Sequence, residues 1–303
     1  MVVDDQAFDK PKLTPAEVKA RKAARRAKKA ERRAKQRELN PLRAEKMHKA
    51  RLAEHLPRCD GDTLPALNIG CSGWFYWDWK GKFYPTQIST SDWFPFYRSQ
   101  FDTVELNAPF YAWPTVNTVK TWLKQVAGTD FVYTVKASEL ITHVRQFEDV
   151  KGLIEDFGYI ADVLGRHMGC FLYQLPPSYH YSPDLLQRIV SQVEPGRRTV
   201  VELRHASWWN EDVYAAFRAH GIIFCACSGP GLPDDLIKTA DEIYVRFHGV
   251  DKWYLYDYSD AELQVWADRI KASGAKRVWV YFNNDYNTNA IKNARTLKAM
   301  LTS

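Results

Sequence analysis

A closed α/β barrel of eight parallel strands, preceded by a basic helical extension, is the fold class this sequence predicts, and three observations predict it. Short apolar strands recur from residue 67 onward, with helical patterns between them, and we count eight. Alternate positions along those strands are almost wholly apolar, whereas the opposite positions carry polar and ionisable residues near the strand ends. Charge is divided sharply along the chain: residues 1–58 hold 18 Lys/Arg against 8 Asp/Glu, net +10, and residues 59–303 hold 24 against 28, net −4. The chain is therefore read as an extension over 1–58 and a barrel domain over 59–303, and the positive balance belongs to the extension.

The extension opens on Thr14-Pro15-Ala16-Glu17, which has the form of a helix start. Thr14 is the N-cap, proline takes the first helical position, and Glu17 is placed to complete a capping box. Residues 19–37 are almost all Ala, Lys and Arg, with 11 Lys/Arg and one acid, so a long helix should follow. Its apolar stripe of Ala20, Ala23, Ala27, Ala30 and Ala34 is too small to dock firmly, and Asn40-Pro41 is expected to interrupt it. A solvated helix and an arm that binds the phosphates of RNA or DNA stand side by side as readings, with a helix for a protein partner as a third. No strand pairing or apolar core is expected to depend on residues 1–58.

After a linker over 57–65 the first strand begins at Leu67. Asn68, Gly70 and Ser72 alternate with Ile69 and Cys71, and Gly73 ends the strand. The rings that follow, Trp74, Phe75, Tyr76, Trp77 and Trp79, are too many for a solvated turn, so they cap a core or form a platform for a ligand. Further strands begin near Thr103, Phe131, Cys170, Thr199, Ile222, Ile243 and Arg277. Helical patterns fall at 92–100, 116–126, 148–164, 183–193, 211–220, 260–272 and 289–301, with a short one near Asp235. Eight strand–helix units in about 240 residues have the rhythm of a TIM-type (β/α) barrel. A doubly wound open sheet is the alternative.

Strand parity assigns two faces. Ile69, Val104, Tyr133, Phe171, Val201, Ile223, Cys225, Val245 and Val280 belong to the apolar set that should face the helices. The opposite set should point into the barrel at its C-terminal mouth: Ser72, Glu105, Asn107, Thr134, Lys136, Gln174, Glu202, Arg204, Ser228, Tyr244, Arg246, His248, Tyr281 and Asn283. Glu105, Lys136, Glu202, Arg204, Arg246 and His248 would then converge, either as a pocket for an anionic or polar ligand or as a closed internal ion-pair network.

Acid/base chemistry needs two titratable groups in different surroundings, and Glu105, Glu202 and His248 are the candidates. Glu202 and Arg204 share one strand face, which keeps Glu202 ionised as a base or orienting group and leaves Glu105 or His248 as donor. Substrate contacts are expected from Ser72, Trp74, Tyr76, Asn107, Lys136, His143, Gln174, Arg204 and Arg246. Asn283, Asn284 and Asp285, ahead of the last helix, make either a phosphate-binding turn or an Asx-rich turn. Only His248 among the histidines has inward parity on a strand, with His143 and His205 in loops, so no metal site is assigned and a divalent metal is the weaker expectation. There is no organic cofactor motif. Rings crowd the same end, among them Phe110, Trp208, Trp209, Trp253 and Tyr254, and suggest stacking on a sugar or base. No nucleophile is apparent, since Ser72 lacks a GxSxG elbow and Cys71 and Cys225 have outward parity.

Five cysteines without a CxxC pair indicate buried free thiols and a reducing, cytoplasmic setting. No stretch reaches the roughly 18 apolar residues of a membrane span, and no secretory signal is present.

In GCSGWFYWDWKGKFYP, ELNAPFY, TVKASELITH, FLYQLPPSY, VELRHASWW, YVRFHG and VYFNND, taken in that order, residues 67–302 resemble the YecE-like family of bacterial and archaeal proteins. The resemblance implies a TIM-barrel fold and a polar site at the C-terminal face, built from residues such as Glu105, Asn107, Lys136, His143, Gln174, Glu202, Arg204, Arg246, His248, Asn283 and Asp285. It implies no established reaction or cofactor. Cys71 stands where a threonine is usual, and the resemblance does not reach the basic extension. Two functions are therefore expected. One is a barrel hydrolase, lyase or isomerase acting on an anionic ring-containing small molecule such as a sugar phosphate or nucleotide. The other is a nucleic-acid-associated binding protein whose pocket reads a nucleotide or modified base without chemistry.

Overall fold

Eight short strands, each followed by a chain reversal on the outside, close on one another in sequence order. They are β1 (Leu67–Cys71), β2 (Thr103–Leu106), β3 (Val132–Lys136), β4 (Met168–Gln174), β5 (Thr199–Glu202), β6 (Ile223–Ser228), β7 (Glu242–Phe247) and β8 (Arg277–Phe282). All pairs are parallel, and β8 pairs back onto β1 from Leu67↔Val278 to Cys71↔Phe282, which excludes the open sheet. The computed structural model describes residues 14–58 and 64–302; Cys59 and the first 13 residues of the extension lie outside them.

The helices are α1 (Pro15–Glu54), α2 (Trp93–Arg98), α3 (Ala108–Tyr111), α4 (Val116–Val126), α5 (Lys151–Leu164), α6 (Pro183–Gln192), α7 (Glu211–His220), α8 (Asp260–Ala272) and α9 (Asn289–Thr302). α4, α7 and α8 match the expected ranges, each opened by a side-chain cap from Thr115, Asn210 or Ser259. The short helix expected near Asp235 does not form. Gly229, Pro230, Gly231 and Pro233 deny that segment helical bonds, and Thr239 ties it to the barrel through Ile222 O and Phe224 N.

The core has two layers. Helix-facing side chains such as Val104, Phe171, Val201, Val245 and Val280 make the outer one. The barrel interior is filled by Val132, Cys170, Leu172, Val200, Ile223, Cys225, Cys227, Tyr244, Trp279 and Tyr281. The expected parity of β6 is therefore corrected: Ile223 and Cys225 face inward, and Phe224 and Ala226 face the helices. IFCACS is apolar on both faces, so its alternation carries no sign. Register decides it, because Cys225 lies beside Tyr244 and Cys227 beside Arg246, and neighbours across a parallel pair share a face. Ser228 consequently leaves the mouth and bonds Tyr258 Oη at 2.8 Å.

The extension differs from expectation in its second half. α1 is one helix of 40 residues with Pro41 inside it. A proline there removes one backbone bond and costs about 3 kcal/mol, which the contacts on either side outweigh. Up to Arg32 every described side chain is exposed, as the alanine stripe requires. From Arg33 the helix docks. Arg33 and Arg37 bond the fully buried Glu139 carboxylate at 2.7 and 3.0 Å. Asn40 donates to Tyr111 O at 3.2 Å and accepts from Trp113 N at 2.9 Å. Ala44 and Met47 enter the outer core, His48 and Arg51 both reach Asp156 Oδ1 at 2.9 Å, and Glu54 meets Lys120 and Tyr159. An apolar core does depend on residues 1–58, contrary to the sequence expectation.

Candidate functional site

The C-terminal ends of β2, β5 and β7 bring two carboxylates onto one guanidinium. Arg246 Nη2 donates to Glu105 Oε1 at 2.6 Å and Nη1 donates to Glu202 Oε2. Glu105 Oε2 accepts from Tyr244 Oη at 2.5 Å, and Glu202 Oε1 accepts from Arg204 Nε at 2.6 Å. Glu105, Glu202 and Arg246 have no solvent exposure. Burial raises the Glu202 carboxyl, but Arg204 and Arg246 beside it hold it well below the usual carboxylate range. Two carboxylates and two guanidiniums cancel, so the centre is a closed ion-pair chain. Arg204 remains open at one end: its guanidinium stacks 4.9 Å from the Trp253 ring centre and its side chain keeps 14% exposure.

Lys136, at the end of β3, has no acidic partner among the described residues. Its Nζ donates to Gln174 Oε1 at 2.7 Å and sits 4.1 Å from the centre of the Phe110 ring. Burial, followed by the charge of Arg246, pushes its ammonium down to about 7. Gln174 turns its amide nitrogen to Leu175 O, which fixes the oxygen toward Lys136.

His248 is buried at the end of β7. Its Nε2 lies 3.5 Å from Glu202 Oε1 and from Arg246 Nη1, its Nδ1 lies 3.2 Å from Asn283 Nδ2, and Trp253 covers its ring at 5.1 Å. Burial and then Arg246 lower its pKa to about 3, which holds the imidazole neutral near pH 7. His143, in the turn Leu140–Val144 after β3, packs edge-on against Phe110 at 5.0 Å and is lowered to about 4 by burial and Lys136. That turn begins one residue after Glu139, the carboxylate clasped by α1.

Other expected residues support rather than line the centre. Ser72 Oγ is 3.4 Å from Arg246 Nη2, while Ser72 O accepts from Tyr76 Oη at 2.6 Å and Asn107 Nδ2 at 3.1 Å. Trp74 packs on Phe94 at 4.9 Å, and Trp79 and Trp208 are fully buried. Asn284 joins Tyr256 O to Asn293 and the Asp285 carbonyl accepts from Trp79 Nε1, so these two cross-link loops, while Asn283 stays on His248. Gly249 must be glycine in the adjoining loop, since φ is +113° and a Cβ would lie 2.4 Å from Lys252 O. His205 stacks on His180 and hydrogen-bonds Ser207, away from the centre.

Sequence reasoning missed Cys227 and Glu139. Cys227 is findable from its register beside Arg246, but Glu139 carries no local signal because its partners lie over 100 residues away in α1. Glu202, Cys227 and His248 each offer one donor atom within 4.8 Å of the others. Both Glu202 oxygens are already bound by guanidiniums, so a divalent cation there would have to displace Arg204 or Arg246. No helix among the described residues is long and apolar enough to cross a membrane.

Comparison with known proteins finds relatives of the barrel in sequence and in fold. A family profile described as protein of unknown function DUF72 matches residues 68–303, leaving α1 outside the match. UPF0759 protein YunF of Bacillus subtilis strain 168 is 25% identical over 270 residues, which cover 78% of this chain and 94% of YunF. The crystal structure of TM1631, a DUF72 family protein from Thermotoga maritima MSB8, superposes with a TM-score of 0.71 at 29% identity, over 79% of this chain and all of that one. EF0366, a DUF72 family protein from Enterococcus faecalis V583, has a TM-score of 0.67 at 20% identity over 78% of this chain and 96% of its own, a likeness of fold alone.

Proposed function

The chain belongs to the family described as protein of unknown function DUF72, and from the chemistry at its barrel mouth we propose that it is an acid/base enzyme, a hydrolase, lyase or isomerase, acting on an anionic ring-containing small molecule such as a sugar phosphate or nucleotide. The observation that carries the proposal is Lys136, a buried amine without a carboxylate partner among the described residues, standing between an aromatic ring and a fixed amide oxygen. An amine that exchanges its proton near neutral pH is what general acid/base catalysis asks for. Glu105 and Glu202 then act through Arg246, and neutral His248 acts as an acceptor. Because the Glu105–Arg246–Glu202–Arg204 chain is neutral, a proton on Lys136 makes the mouth net positive, which favours an anion. Arg204 has its Nε on Glu202 and offers its outer edge to that anion, with the Trp253 ring as a wall for a flat ligand.

The test is native mass spectrometry of the co-purifying ligand, followed by kinetics and affinity of two variants. Lys136→Met should abolish turnover while keeping affinity within about tenfold, and Arg204→Ala should weaken binding by about 1.5–3 kcal/mol, the worth of a charge-assisted hydrogen bond. A pocket that changes only in affinity when Lys136 is replaced is a binding pocket without chemistry. Unchanged affinity for phosphate-bearing ligands in Arg204→Ala would reject the anionic substrate.

A further inference from the structure

On the flank of the barrel, α1 and the turn joining α3 to α4 enclose an open groove of about 630 Å3. Its α1 wall is cationic, with Lys29, Arg32, Arg33 and Arg43, and its other wall presents Tyr111 and Trp122. Arg33 and Arg43 are partly engaged, on Glu139 and Gln36. Lys29 and Arg32 make no ion pair among the described residues, nor do Lys19, Arg21, Arg25, Arg26 and Lys28 upstream on the same helix. Tyr111 is 43% exposed, and the Arg33 guanidinium, 5.4 Å from its ring centre, holds the ring in place. Charge alone would suit any polyanion. An exposed ring beside a row of unpaired cations suits a polyanion that also offers flat π-faces, and single-stranded nucleic acid does so where a duplex buries its bases in the stack.

We propose that this groove holds a segment of single-stranded nucleic acid, its phosphates along Lys29, Arg32 and the cations upstream, and one base on Tyr111. The barrel-mouth reading is not needed for it, since Lys136, Arg204 and His248 lie outside the groove, and the two stand or fall separately. α1, which makes the cationic wall, lies outside the stretch that matches the family, whereas the wall with Tyr111 and Trp122 lies inside it.

The experiment measures fluorescence anisotropy of labelled 12-nucleotide oligo-dT and oligo-U and of a 12-base-pair duplex against the full chain, from about 50 to 200 mM salt. Both single strands should bind more tightly than the duplex. Tyr111→Ala should weaken single-strand binding about tenfold at every salt concentration without changing the salt slope, because the ring carries no charge. Tyr111→Phe keeps the π-face and should bind as the parent does, which separates stacking from a folding defect. Arg32→Ala should reduce the slope by about 0.7, the single-strand value per phosphate contact. A duplex bound as tightly as the single strands, a Tyr111→Ala protein with parental affinity, or phosphatidylserine vesicles outcompeting the oligonucleotides would overturn the proposal.

Discussion

Shortening the chain from its N-terminus separates the two halves of α1 by their energetics. A chain starting at residue 30 loses side chains that are all exposed among those described, so its unfolding free energy should stay within about 0.5 kcal/mol of the parent. A chain starting at residue 59 loses much more. Met47 is 1% exposed, and removing a fully buried side chain of that size forfeits about 1.5–3 kcal/mol. The Trp113 N–H loses the Asn40 oxygen, at about 1–3 kcal/mol. Glu139 loses both guanidiniums, and although water then replaces them, the lost charge-assisted hydrogen bonds amount to about 1.5–3 kcal/mol. Together these amount to about 4–9 kcal/mol as an order of magnitude, comparable with the whole net stability of a typical domain, about 5–15 kcal/mol. Urea unfolding followed by tryptophan fluorescence on the three chains reads it directly. The reasoning fails if the chain starting at 59 unfolds at the parental urea midpoint.

Replacing Arg246 by Met leaves Glu105 and Glu202 buried without their cation, which should cost about 3–5 kcal/mol and lower the melting point by on the order of 10 °C; an unchanged melting curve would contradict the ion-pair chain. The folded pKa of His248 is about 3 against 6.5 ordinarily, so below pH 6.5 the unfolded chain takes a proton that the folded one refuses. Stability should therefore fall as pH drops from 6.5 toward 3, by up to about 1.4 kcal/mol per pH unit from this group, and His248→Asn should flatten that slope. Parallel acid-unfolding curves for the two proteins would refute it. Lys136 titrates near 7 when folded and near 10.5 otherwise, so between those values the unfolded chain binds more protons and parental stability rises with pH. Lys136→Met should hold its largest stability advantage at or below pH 7 and lose it toward pH 10; a constant gap would return Lys136 to an ordinary ammonium.

Much of the barrel was legible because strand and helix periods are local. The end of β7, where Tyr244, Arg246 and His248 alternate with Val245 and Phe247, announces both its faces. β6 does not, because Ile, Phe, Cys and Ala suit either face, and its sense comes only from the strand beside it. The convergence of Glu105, Glu202 and Arg246 was likewise readable from parity. The depressed pKa values of Lys136 and His248 were not, since both depend first on burial, which no local pattern states, and Lys136 depends next on Arg246 across the barrel. The passage of α1 through Pro41 was misread for the same reason: propensity saw the proline, while Trp113, Glu139 and Asp156, which hold the helix, lie 70 or more residues further on.

The unbroken course of α1 has a mechanical consequence. Residues 15–32 continue the same helix that is clamped to the barrel from Arg33 onward, and at 1.5 Å per residue they form a rod about 27 Å long. A flexible tether of that many residues lets its cargo wander and sets only an average local concentration. A clamped rod instead sets a bearing: anything gripped along it points in one fixed direction relative to the barrel axis, and a shift of the Arg33–Arg37 clasp on Glu139 would swing the far end as a lever does.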